Sequence, residues 1–185
     1  MAILKHISVK NRFYSSAVEY LTCQFDEYTN KPVLDEKGRI QERENYLIVG
    51  VNCDVDSFGA ECIEVNRLYG KNNSVKDVKA HHYIISFEPN DPITIEQALE
   101  FGKQWLSVFA PGHQAVVAVH PDGHNGSQNM HVHMVINSVR KYAGKQSRWH
   151  EKPCEWKLGC KHKSTGKMMF HAKKWVMEKC IRLGL

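Results

Sequence analysis

The sequence predicts an α+β fold, a central antiparallel β-sheet with helices packed on it. Three observations carry this. Strand-like and helical segments alternate along the chain in the order β-α-β-α-β-α-β-β-loop-α. The two adjacent strand segments, HQAVVAVH (113–120) and MHVHMVINSVR (130–140), are joined by the polar connection PDGHNGSQNM, so the second can return antiparallel beside the first. A chain of 185 residues that is 42% hydrophobic and 24% charged is long enough for one domain with a real core. The simplest arrangement places the helices against one face of the sheet and leaves the other open for a site.

Each element has its own signal. ILKHISV (3–9) is short and β-like, and Ser15 or Ser16 can cap a helix that begins SAVEYL. Residues 26–44 are polar, with Pro32 and an Asp-Glu-Lys-Gly turn signal at 35–38, and read as a loop or small exposed hairpin. NYLIVGVNC (45–53) is a buried-strand run. In DSFGAECIEVNRLYG (56–70), Phe58, Cys62, Val65 and Leu68/Tyr69 recur at helical spacing up to Gly70. AHHYIISFEP (80–89) is a strand closed by Pro89. TIEQALEFGKQWLSVFA (94–110) is the clearest helix, with Thr94 as its cap and Gln97 three residues on. After a polar, basic stretch over 141–168, an amphipathic helix is expected at roughly 169–183.

Composition excludes several classes. No apolar run approaches the length that spans a bilayer, and Lys5 and His6 interrupt the N-terminal segment where a signal peptide would stay apolar, so a cytoplasmic location is expected. The six cysteines show no C-x-x-C spacing and read as reduced thiols. Net charge is asymmetric. Residues 1–139 hold 12 Lys+Arg against 17 Asp+Glu, whereas 140–185 hold 13 against 3. Such a one-sided basic segment points to a polyanion.

The segment 120–140 carries His120, His124, His131 and His133, four of the chain's 11 histidines. On a strand His131 and His133 share one face, roughly 7 Å apart. His120 ends the preceding strand and can lie next to His131, with His124 in the connection as the rival third group. Three neutral imidazoles with vacant positions form an open, Lewis-acid site for one divalent ion. A C-x5-C-x-H arrangement at Cys154, Cys160 and His162 lacks a fourth ligand and fits no common zinc finger.

The pattern His120-Pro-Asp122 … Asn129-Met-His131-Val-His133-Met-Val-Ile-Asn137-Ser138 resembles the three-histidine motif of plasmid and conjugative-transposon relaxases. These belong to the HUH endonuclease superfamily, and the likeness is to its MOBP, VirD2-like branch. AVEYL (17–21), YLIVGVNC (46–53), LYGK (68–71) and HHYIISFEP (81–89) agree in order, so the likeness runs over nearly the whole chain as a single relaxase domain, 1–185. The connection between His120 and His131 is a few residues longer than in common members, which keeps His124 in contention.

The resemblance implies a nick at an origin of transfer by a tyrosine near the N-terminus. That tyrosine forms a 5′-phosphotyrosyl link and frees a 3′-hydroxyl. Tyr20 is the matching position, with Tyr14 and Tyr28 as alternatives. It also implies one divalent ion, Mg²⁺ or Mn²⁺ or another that suits three histidines, held by His120, His131 and His133. DNA is the implied partner, together with accessory relaxosome proteins and a secretion coupling protein, and the chain can be read as a piece of a longer protein. The physical logic stands beside the family. A phenol of pKa near 10 is a poor nucleophile unless its phenolate is stabilised.

In the basic segment, about 140–185, cations alternate with Tyr142, Trp149, Trp156, Phe170 and Trp175. Lys and Arg can take phosphates while aromatics stack on unpaired bases. The candidates for DNA contact are Arg140, Lys141, Lys145, Arg148, Lys161, Lys163, Lys173 and Lys174. The competing readings are a rolling-circle initiator or transposase, whose tyrosine usually follows the histidines, and a non-catalytic nucleic-acid-binding α+β module.

Overall fold

The computed structural model describes residues 2–10, 14–26, 29, 31–121 and 129–185. Five strands, β1 (Ile3–Val9), β2 (Leu47–Val51), β3 (Ala80–Ser86), β4 (His113–His120) and β5 (His131–Arg140), form one sheet in the order β1-β3-β5-β4-β2. Every pairing is antiparallel. Four helices complete the chain: α1 (Ser15–Thr22), α2 (Phe58–Leu68), α3 (Ile95–Phe109) and α4 (Gly166–Leu183).

The fold class is the expected one, but the helices lie on both faces. Side-chain alternation sends Val117, Val119, Val132, Met134, Ile136, Tyr83 and Ile85 into the larger core, under Phe101, Trp105 and Leu106 of α3 and Met168, Ala172 and Val176 of α4. The other face carries Ala80, Val116, Ala118 and Val135, packed against Leu21 of α1 and Phe58 and Cys62 of α2. Central strands buried on both faces have lost the apolar/polar alternation that would have announced this layering.

Local chemistry explains most boundaries. Thr94 closes a full capping box with Gln97, as its spacing predicts. Tyr14, not a serine, occupies the N-cap of α1, and no side-chain hydrogen bond caps it. Helix α4 starts at Gly166, earlier than periodicity alone predicts, because the Thr165 side chain accepts from Met168 N–H; it ends at Gly184 in a left-handed conformation. Leu34 bridges Ile40 across a turn at Gly38, giving the small hairpin expected there.

A second histidine group lies on the α3/α4 side. His6 Nε2 is 2.9 Å from His81 Nδ1, the Tyr83 hydroxyl is 2.8 Å from His162 Nε2, and His113 Nδ1 is 2.9 Å from the Asn137 carbonyl. Burial pushes His81 and His113 down to about 3, and His162 well below its ordinary value. The unfolded chain therefore binds more protons than the native one below the ordinary pKa of 6.5, so this stability is full above 6.5 and is lost as pH falls toward the folded values. One unit below 6.5, His81 and His113 each cost about 1.4 kcal/mol, or about 3 kcal/mol together, and His162 acts in the same direction. Against a total of about 5–15 kcal/mol, that predicts acid unfolding beginning near pH 5.5. Thermal melts from pH 8 to pH 4.5 check it, and a melting temperature independent of pH across that range would contradict it.

Candidate active site

The register of the sheet assembles the histidines. His120 pairs directly with His131 across β4 and β5, and His133 lies opposite Ala118. The ring centroids of His120 and His133 are 4.6 Å apart, and those of His131 and His133 are 6.1 Å apart. His120 and His133 are buried, and His131 is half-buried.

Each imidazole has one nitrogen oriented by a protein partner. His120 Nε2 is 2.7 Å from the Leu21 carbonyl, which can only accept, so the proton of a neutral His120 sits on Nε2. His131 Nε2 is 3.0 Å from Ser86 Oγ, and His133 Nδ1 is 3.0 Å from His82 Nε2. The Leu21 carbonyl fixes the His120 tautomer, and the three contacts together orient the ring planes, as the surroundings of a metal-binding histidine usually do. Three imidazoles on two paired strands are the right donor chemistry for an open divalent site. With the rings as placed, no group of three or more His, Cys, Asp or Glu among the described residues is arranged to hold an ion.

Helix α1 crosses this face. The Tyr20 ring stands edge-on to His82 at 6.0 Å and to His133 at 6.1 Å between centroids, and it also packs on Phe25 at 5.3 Å. The Leu21 carbonyl beside His120 belongs to the same helix, so α1 and the histidine strands are locked together one residue from Tyr20. Tyr14 does not compete for this position. It is 5% exposed, its hydroxyl donates to the Lys79 carbonyl at 3.0 Å, and burial raises its pKa. Tyr28, Asp122 and His124 lie outside the described residues.

His82 was not among the residues expected at the site. Its ring is 8% exposed, and burial first, then the His120 charge, lowers its pKa to about 4, so it is neutral at pH 7. HHYIIS places histidines on both faces of β3, and only the β3-β5 pairing shows which one meets His133.

The basic segment divides. Arg140 is 1% exposed; its Nη2 donates to the Glu155 carbonyl at 3.1 Å, and it is a core residue, contrary to the surface role expected of it. Lys141 is tied to Glu61 at 3.0 Å and Lys161 to Asp77 at 3.4 Å. Lys174 makes an i,i+4 pair with Glu178 at 3.7 Å, both exposed, and such a pair contributes little. Lys145, Arg148, Lys163 and Lys173 are at least partly exposed. Helix α4 packs on the face opposite His120 and His133, so Lys173 and Lys174 belong to the far layer. Trp149 and Trp175 pack against the α3/α4 core. No helix among the described residues is long and apolar enough to cross a membrane.

Known proteins resemble this chain in sequence and in fold. "Protein rlx" of Staphylococcus aureus is 36% identical over 103 residues, 56% of this chain and 30% of that protein. "Group II intron-interrupted relaxase LtrB" of Lactococcus lactis subsp. cremoris is 40% identical over 99 residues, 53% of this chain and 15% of that protein. The chain thus spans less than a third of the length of either relative. A solved chain reported under "Molecular Basis of Vancomycin Resistance Transfer in Staphylococcus aureus" superposes with a TM-score of 0.52 at 16% identity, covering 95% of this chain and 88% of that one, which shows a shared fold. A family model described as "Relaxase: MobA/VirD2-like, nuclease domain" matches residues 28–163, a span that contains all three histidines and begins after Tyr20. The chain belongs to the MobA/VirD2-like relaxase nuclease-domain family.

Proposed function

We propose that the chain is a DNA strand nicking and joining enzyme, a relaxase acting at an origin of transfer, with Tyr20 as its nucleophile. The observation that carries the reading is the Tyr20 ring lying edge-on to His82 and His133 at 6.0 and 6.1 Å, on a helix tied to His120. In the step, the Tyr20 hydroxyl loses its proton and its oxygen bonds to phosphorus. The bond from phosphorus to the 3′ oxygen breaks, and that oxygen takes up a proton. One phosphodiester replaces another, so the reverse reaction rejoins a strand without an external energy source.

His120, His131 and His133 would hold one divalent ion, Mg²⁺ or Mn²⁺. When bound, it would polarise the phosphate and stabilise the phenolate. His82 orients His133, the Leu21 carbonyl orients His120, and Ser86 orients His131. Accessory proteins at the origin, a secretion coupling protein and a cytoplasmic setting belong to the same reading. A rolling-circle enzyme would use a tyrosine that follows the histidines. Tyr142, the one available, lies beyond Arg140, and His133 to Arg140 is seven residues of strand, roughly 23 Å.

The test is covalent capture. With a strand carrying the cognate nick sequence and Mg²⁺ or Mn²⁺, the protein should leave an adduct stable to boiling in detergent. A strand bearing a 3′-hydroxyl should reverse it. Binding without any adduct would favour the non-catalytic module.

Affinity should depend on the accessible cations. Replacing Lys145, Arg148 and Lys163 with Gln should reduce the slope of log K against log salt by about 2 for a single strand. Anisotropy titrations at several salt concentrations measure the slope. If it is unchanged, these cations face solvent in the complex.

A further inference from the structure

The face of the sheet that carries the histidines is covered along only part of its width. Val116, Ala118 and Val135 lie under Leu21 of α1 and Phe58 and Cys62 of α2. Toward the β1 edge this cover reaches Ala80 and Val9. The antiparallel register shows what lies beyond it. Ile3, Lys5 and Ile7 of β1 stand directly opposite Ser86, Ile84 and His82 of β3. Those three stand in turn opposite His131, His133 and Val135 of β5. Directly paired residues point to one face of a sheet, so these nine side chains share the face of the site.

Exposure rises across the three strands. His133 and Val135 are buried, and Ser86 and Ile84 are half-buried. Ile3 and Ile7 are 59% and 50% exposed, with Lys5 exposed between them. Ile84 is opposite Lys5 and diagonal to both isoleucines, within reach of side chains that long. The three isoleucines therefore form one accessible apolar patch with a cation at its centre. A contiguous patch marks a binding surface where a single exposed isoleucine would not. None of the nine positions holds a carboxylate.

Position decides what the patch receives. Lys5 shares a row with Ile84 and His133, two inter-strand spacings from the histidine, roughly 10 Å. Stacked nucleotides advance roughly 3.4 Å each, so a strand whose scissile phosphate sits at the histidines reaches the patch about three nucleotides away. There the Lys5 ammonium suits a phosphate, and Ile3 and Ile7 offer aliphatic surface to sugars and base faces. Aliphatic contact of this kind reads no hydrogen-bonding edge.

Resting on the nuclease reading above, we infer that the open face of β1 is a track for the unpaired strand beside the nick. Lys5 holds one phosphate, and Ile3 and Ile7 pack on the neighbouring sugars and bases whatever their sequence.

Because the track reads no sequence, fluorescent oligo(dT) and oligo(dA) of about twelve nucleotides probe it. Lys5→Gln should lower the slope of log K against log salt by about 0.7, the contribution of one single-strand phosphate. Ile3→Thr with Ile7→Thr keeps β-branched side chains on the strand and removes most of the apolar surface. This double variant should bind both strands about fivefold more weakly with the salt slope unchanged. Both positions are exposed, so the fold should be retained, which circular dichroism checks. Oligo(dT) carrying 4-thiothymidine, irradiated on the wild-type protein, should crosslink to a peptide within residues 2–10. An unchanged slope in Lys5→Gln, or unchanged affinity in the folded double variant, overturns the track. A wild-type dimer that the double variant dissolves, seen by sedimentation, would give the face to a second copy instead. Failure of both oligonucleotides to bind the wild type also overturns it. In each case covalent capture on the cognate strand decides the nuclease reading separately.

Discussion

Tyr20→Phe should lose strand cleavage by at least about a thousandfold while binding single-stranded DNA as the wild type does. The substitution removes one oxygen and keeps the ring. The unsubstituted phenyl ring would retain the edge-on contacts to His82 and His133 and the packing on Phe25 that hold Tyr20 now. The Leu21–His120 hydrogen bond runs through the Leu21 backbone carbonyl and keeps its partners when Tyr20 becomes Phe. The fold and the salt dependence of binding should therefore be retained, while the group that attacks phosphorus is gone. Gel assays under single-turnover conditions read the rate, and anisotropy reads the affinity. Residual cleavage within tenfold of wild type would move the nucleophile elsewhere, to Tyr28 first, since Tyr14 is spent on the Lys79 carbonyl and Asn137.

His133→Ala should cost at least about a hundredfold in cleavage, more than the same change at any neighbouring histidine outside the proposed ligand set. His133 stands at the centre of the group. It is 1% exposed, bonded to His82 and in ring contact with His120, His131 and Tyr20. Its removal takes one proposed ligand and releases His82 as well. The stability cost should be ordinary for a buried truncation, because Val132 and Met134 on either side remain packed in the α3/α4 core. Isothermal titration with Mn²⁺ separates the two losses. Wild type should bind one equivalent and His133→Ala none, with both folded by circular dichroism. Cleavage by wild type that persists undiminished in excess chelator would remove the ion from the mechanism.

The histidine pair was legible because strand alternation is a strict rule. H-x-H puts both rings on one face whatever the rest of the chain does, and a short connection returns β5 beside β4, so His120 meets His131. The helix across that face was legible only through the tyrosine it carries. His82 was hidden for the opposite reason. The β3-β5 pairing spans α3 and β4 in sequence, and alternation alone cannot choose between His81 and His82. Arg140 was misplaced because a run of cations reads as surface, whereas it is the last residue of β5 and pairs with His113 inside the sheet.

The central claim is that a phosphotyrosine forms at Tyr20. Mass spectrometry of the covalent protein–DNA adduct, digested with protease and nuclease, tests it most directly. The account predicts a nucleotide mass on the peptide that contains Ala17-Val18-Glu19-Tyr20-Leu21, with fragmentation placing it on Tyr20. A nucleotide mapped to Tyr14, Tyr28, Tyr142 or any histidine would contradict it.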